Sequence, residues 1–138
     1  MPTPHKNKTF ATFLAFAFGA IGAHRFYLRG AHDRLGLLHV CSIPLAGMVY
    51  GAAHAPNVFW VLLPLFISAV VGYVEALVIG VTPDEKWDAR HNPQSGRSSR
   101  SNWMVALLLV LTMLLGATVL IGTIARLNDL LYTGGAYG

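Results

Sequence analysis

Charge is what this sequence has least of. Of its 138 residues only 12% are Asp, Glu, Lys or Arg, 54% are hydrophobic, and the mean hydropathy is +0.53. An ordinary soluble domain carries about 25% charged residues, so the chain is short of polar surface, not of core. Cysteine is nearly missing too. Cys41 is the single thiol and has no intrachain partner, which excludes a disulfide framework and a cysteine-based zinc site. Its apolar surroundings read it as a small core residue.

The constellations of catalysis are missing as well. No nucleophile is paired with a base and an orienting group, no paired carboxylates stand out, and no glycine loop cradles a phosphate. Asp84, Glu85 and Asp88 lie close together, but in a polar stretch where a solvated face explains them. Six histidines, with His24, His32 and His39 near one another, come without an HxxxH spacing, cysteine partners or a carboxylate cluster. The expectation is a non-enzymatic protein with no metal and no cofactor. The sequence pI near 9.6 arises from loops and not from a continuous basic face, so nucleic acid is not an expected partner either.

What is present is long apolar blocks. They fall at residues 9–23, 35–53, 57–81 and 103–126, and spanning a hydrocarbon core of about 30 Å takes about 20 residues. The last two pass easily, the second is marginal and the first is short. The fold class expected is an all-α integral membrane protein, a small helical bundle. Three full spans are joined by a short first helix that is either re-entrant or a fourth span.

A basic segment, residues 1–8, precedes the membrane domain of 9–81. His54 to Asn57 reads as a tight turn between the second and third helices, because Pro56 lacks an amide donor and biases its predecessors away from helix. Pro44 and Pro64 lie inside their segments and should kink them. Residues 82–102, rich in Ser and Arg and punctuated by Pro83, Pro93 and Gly96, read as an exposed linker, disordered in its Ser/Arg half. Residues 127–138 read as a flexible tail.

Lysine and arginine accumulate on the cytoplasmic side of short loops. With four spans the ten basic residues divide seven against three; with a re-entrant first helix they divide nine against one, Arg126 alone standing apart. In both arrangements loops 24–34 and 82–102 share one face, expected to be cytoplasmic, in a plasma membrane of the bacterial inner-membrane kind. Cleavage of residues 1–22 as a signal peptide is a further reading, though it would export the basic loop against the charge rule.

Small residues recur along the helices. Ala11, Ala15, Gly19 and Ala23 are spaced by four, as are Ser68, Gly72, Ala76 and Gly80, and Gly47 with Gly51 forms a GxxxG pair. Such stripes let membrane helices approach closely; intramolecular packing is the first reading and a dimer or partner interface the second. Glu75 is the one acid inside an apolar segment. It stands six residues, about 9 Å, before the end of its helix, on the side of the basic loop. Arg25 is the expected partner, tying that loop to the third segment; a protonated or water-facing Glu75 is the alternative.

"KNKTFATFLAFAFGAIGAHRFYL", from Lys6, followed by a glycine-led apolar helix and a late acidic residue, resembles the TM2 domain family (NINE proteins). Over about residues 6–81, Gly19, Gly22, His24, Arg25, Phe26, Tyr27 and Leu28 match the motif, and Glu75 stands where the family usually has aspartate. Arg29 occupies a position usually given to glycine, and the linker with the final helix lies outside the resemblance. The resemblance implies two membrane helices joined by a short linker and supplies no biochemical activity. The function expected is a packing, partner-binding or scaffold module. It meets the lipid bilayer, anionic lipids, and a second copy or another membrane protein; an oligomeric channel or transporter using Glu75 is the alternative.

Overall fold

The structure is a computed structural model that describes residues 4–52 and 57–137. Among these, six α-helices and no strand are found: α1 Lys8–Phe18, α2 Ala23–Arg29, α3 Arg34–Ala52, α4 Val58–Val81, α5 Asp84–His91 and α6 Trp103–Tyr132. Helices α3, α4 and α6 have 19, 24 and 30 residues and are long and apolar enough to cross a membrane. α3 and α4 run through Pro44 and Pro64 as continuous helices. The expected turn at His54 to Asn57 lies, apart from Asn57, outside the described residues. Asn57 caps α4 by accepting a hydrogen bond from the Phe59 amide at 2.9 Å.

The short first segment doubles back. α1 stops at Phe18, a 3-10 turn follows at Gly19–Ile21, and Gly22 reverses the chain with φ +71°, a conformation that costs glycine little. α2 then returns toward the start of α1. The Asn7 amide donates to the Tyr27 hydroxyl at 2.9 Å, Lys6 Nζ donates to the Tyr27 carbonyl, and the rings of Phe10 and Tyr27 meet edge to face at 5.2 Å. Both ends of the α1–α2 hairpin therefore lie at one end of the bundle. Its depth is set against α4: Lys8 bonds the Thr82 carbonyl, while Ser68 donates to the Ala20 carbonyl at 2.6 Å. Those α4 positions are separated by roughly 21 Å of helical rise.

Close packing explains why the hairpin lies on α4. The buried residues of α4 are Ser68, Gly72, Ala76 and Gly80, the every-fourth stripe read from the sequence, and Ala11, Ala15 and Gly19 are buried on the hairpin. A Cβ added to Gly72 would lie 2.6 Å from the Gly19 Cα, so the two backbones touch. α6 packs on α4 as well, with Leu109 against Gly80 and Tyr73 against Gly116.

Several expectations need correction. Ala23 is only half-buried, because the chain has already turned at Gly22. Among the described residues Gly47 and Gly51 have no neighbour within 4 Å of an added Cβ; α3 instead buries Gly36, His39, Ser42 and Ala46, the register that turns its polar His39 and Ser42 inward. The last helix does not end near residue 126 but runs on to Tyr132, where the Asp129 carbonyl accepts from the Thr133 and Gly135 amides.

The stretch expected to be a loose linker is also organised. α5 begins after Pro83 with Asp84 and Glu85 in its first turn and ends with Arg90 and His91 in its last, both favourable to the helix dipole. Trp87, the one large apolar residue of that helix, is buried at 2% exposure.

Candidate functional site

Two polar groupings share one end of the bundle. The first surrounds Glu75. Arg25 Nε donates to Glu75 Oε2 at 3.0 Å and its Nη2 pairs with Oε1, so the guanidinium takes the carboxylate in a two-point grip. His24 Nε2 lies 2.5 Å from Glu75 Oε2, and His39 Nε2 lies 3.5 Å from the same oxygen. His39 Nδ1 in turn lies 2.7 Å from Ser68 Oγ, whose hydroxyl donates to Ala20. A line of polar contacts thus runs from the hairpin tip to the basic loop, inside helices that are otherwise apolar.

The local fold places these groups. Gly22 lets α2 start against α3, where a Cβ at Gly22 would come within 3.0 Å of His39 Cβ. In the first turn of α2, His24 and Arg25 then face the carboxylate that α4 presents. Phe26 packs on Gly36, within 2.9 Å of where its Cβ would be, which fixes α2 against α3. Asp33 closes the loop: its carboxylate accepts from the Gly36 amide at 2.8 Å, and lies 3.6 Å from Arg25 and 3.5 Å from Arg29. The Gly36 hydrogen bond and then the two arginines hold that carboxyl below the usual aspartate range. Arg25 therefore bridges two acids. His24 is buried at 1% exposure, and its Nδ1 has no hydrogen-bond partner among the described residues.

The second grouping is a clasp around the N-terminal segment. Lys8, only 6% exposed, donates to Asp84 Oδ1 at 2.9 Å, to Ser101 Oγ at 2.8 Å and to the Thr82 carbonyl. The Lys6 carbonyl accepts from Trp87 Nε1 and Asn92 Nδ2, both at 3.1 Å, and the Lys6 amide donates to Asn92 Oδ1 at 2.6 Å. Asp88 holds the far side of the polar stretch, accepting from the Ser99 amide at 2.5 Å and its hydroxyl at 2.6 Å. Bonds from Asn92 and Ser99 push the Asp88 carboxyl down to about 2. Asp84 and Asp88, read from the sequence as a solvated face, are in fact the anchors of this clasp.

Of the motif residues, Gly19 and Gly22 build the hairpin tip, His24 and Arg25 meet Glu75, Phe26 fills the α2–α3 contact and Tyr27 meets Lys6 and Asn7. Leu28 lines a recess beside Glu75. Sequence reasoning weighed His39 as a metal ligand and not as a neighbour of Glu75, and it missed Ser68 as a hydrogen-bonding group, Lys8, Trp87, Asn92, Ser99 and Ser101. Trp87 was the available signal, since a tryptophan in a polar stretch calls for a place to bury it. Among the described residues, no group of three or more His, Cys, Asp or Glu side chains is arranged to hold a metal.

Residues 4–51 match the family model of the TM2 domain. That is about a third of the chain, taking in the hairpin, the Asp33 loop and nearly all of α3, and stopping short of Glu75. The resemblance traced from the sequence extended to Val81; the matched model does not reach that far. Comparison with curated proteins and with solved structures gives no match. With three helices suited to crossing a membrane and a TM2 domain match, the chain is a small helical membrane protein.

Proposed function

We propose that this protein is a non-enzymatic packing and partner-binding module. Its re-entrant hairpin, basic loop and α5 face the cytoplasm, in a plasma membrane of the bacterial inner-membrane kind. The observation that carries this reading is that its chemically capable groups are turned on one another. The Glu75 carboxylate is engaged by Arg25, His24 and His39, and the aspartates of the polar stretch by serines, Asn92 and Lys8. An acid gripped at two points by Arg25 stabilises a shape.

The orientation rests on charge. With the hairpin re-entrant, nine of the ten lysines and arginines lie toward one end of the bundle and Arg126 toward the other, and such an excess favours the cytoplasmic side. The contact surface for a partner is the face of α3 that carries Gly47 and Gly51. Small residues there allow close helix approach, and the described residues leave them uncovered.

Cysteine cross-linking in native membranes tests the reading. With Cys41→Ala as background, Gly47→Cys or Gly51→Cys gives a cross-linked species containing a second copy or another membrane protein, and a cysteine at the lipid-facing Val110 does not. Uncross-linked monomer from every variant contradicts it. Liposome flux addresses the channel alternative. Purified wild type and Glu75→Gln both leave the vesicles tight; flux in the wild type that is lost in Glu75→Gln replaces this reading with a conducting one.

A further inference from the structure

Beside the Glu75 cluster, between α2, α4 and α5, lies a recess of about 190 Å³ whose walls differ in character. One wall is cationic, with Arg29 and Arg90, and the His91 imidazole lies beside them. The other is apolar, with Leu28, Val78 and Ile79. Its floor holds the Arg25–Glu75 pair. We propose that this recess binds the phosphate group of an anionic phospholipid, with an acyl chain lying along the apolar wall; the proposal rests on the membrane reading above.

Three observations converge on it. First, the two arginines are not fully neutralised. Arg90 forms no ion pair among the described residues, and Arg29 shares Asp33, at 3.5 Å, with Arg25. The His91 imidazole is pushed down first by burial and then by Arg90, Arg29 and Lys6, so it stays neutral and registers the positive field of the recess. Arginine suits this role because its planar fork grips phosphate oxygens through paired N–H donors.

Second, the recess sits at the right depth. Val78 and Ile79 belong to the last turn of α4, which ends at Val81, so the cations lie where a spanning helix leaves the hydrocarbon. Basic pockets at this level are suited to anionic headgroups. Third, the apolar wall decides between sources of phosphate. Val78 is 59% exposed and continuous with the lipid-facing side of α4. A soluble phosphate makes no use of that wall, whereas a glycerophospholipid covers it.

The experiment is lipid retention by the purified full-length chain, read by native mass spectrometry during titration with phosphatidylglycerol or phosphatidylcholine. Wild type retains phosphatidylglycerol in preference to phosphatidylcholine. The Arg29→Gln/Arg90→Gln double variant binds it about 25-fold more weakly, from a factor of about five for each basic residue near a headgroup. Arg97→Gln/Arg100→Gln removes the same charge from the exposed polar stretch and stays within about twofold of wild type.

Equal losses in the two double variants overturn the inference by reducing it to general surface charge. So does equal retention of phosphatidylcholine, or stabilisation of wild type by inorganic phosphate alone to the same extent as by the lipid. Circular dichroism checks that each variant is folded. Should the double variant fail to fold, Arg90→Gln alone decides, since it breaks no intrachain ion pair among the described residues. The α3 cross-links read a different face, so lost retention differences with cross-links intact refute this inference alone.

Discussion

Gly19 and Gly72 meet backbone to backbone: a Cβ on Gly72 would stand 2.6 Å from the Gly19 Cα and carbonyl carbon. The hairpin is seated on α4 at this contact, and neither backbone can move aside without dragging its helix. Gly72→Ala should therefore destabilise the fold by about 1–3 kcal/mol, as overpacking does. Gly80→Ala meets only the end of the flexible Leu109 side chain and should cost less, and Gly47→Ala meets nothing. Unfolding midpoints in mild detergent check the order, Gly72 worst and Gly47 near wild type.

Arg25 and Glu75 are mostly screened from water, with side-chain exposures of 17% and 16%. Removing one partner of such a pair leaves a charge without its counterpart and typically costs about 3–5 kcal/mol. Arg25→Ala and Glu75→Ala should each lower membrane abundance, and the double variant should lose much less than the sum. A double-variant cycle on abundance or unfolding reads the coupling directly; additive losses would show that the two side chains act separately.

Lys8 donates three hydrogen bonds from a buried position, two of them to Thr82 and Asp84 just beyond α4. Lys8→Met keeps much of the stem packing and removes the charge-assisted bonds, an expected loss of about 1.5–3 kcal/mol. The loss should be local. Limited proteolysis cuts the variant faster within residues 92–102, while α4 and α6 keep their protection.

The clasp also has an acid limit. The Asp88 carboxyl sits at about 2 in the fold, lowered by Asn92 and then by Ser99, against about 3.9 for a free aspartate. A depressed acid contributes its stability above its unfolded value and loses it as the pH falls through the folded one. Trp87 fluorescence, in a Trp60→Phe/Trp103→Phe/His91→Gln background that also removes the imidazole 4.3 Å from the indole ring, should stay constant down to about pH 4 and change between about 4 and about 2. Asp88→Asn should shrink that step, leaving the part that belongs to Asp84, whose carboxyl is likewise held down, against burial, by its bonds from Ser101 and Lys8.

The membrane class and the every-fourth stripe of α4 were legible in the sequence because bilayers demand long apolar helices and close packing demands small residues at helical spacing. Arg25 and Glu75 were also legible as neighbours, since an intramembrane acid calls for a cation at the same depth. The choice between a fourth span and a re-entrant hairpin was not legible. It is made by one left-handed residue, Gly22, and by hydrogen bonds from Lys6 and Asn7 to Tyr27, contacts across twenty residues that composition does not record.

The polar stretch was misread for a related reason. "PDEKWDAR" and "RSSRSN" each look solvated alone, and they become ordered because Asp84 and Asp88 bond serines at 99 and 101 while the N-terminal segment covers Trp87. The His39 contacts were passed over because both partners, Ser68 and Glu75, sit on another helix.

The re-entrant hairpin holds the account together, since it sets the charge asymmetry, seats Arg25 on Glu75 and brings Lys8 to Asp84. Its most direct test is the labelling of single cysteines, placed at Pro4 and at Gly30 in a Cys41→Ala background, by a membrane-impermeant maleimide in sealed, right-side-out vesicles. The account predicts that both are protected until the membrane is opened and that both then react. Labelling of one but not the other in intact vesicles would place the ends of the hairpin on opposite faces and contradict it.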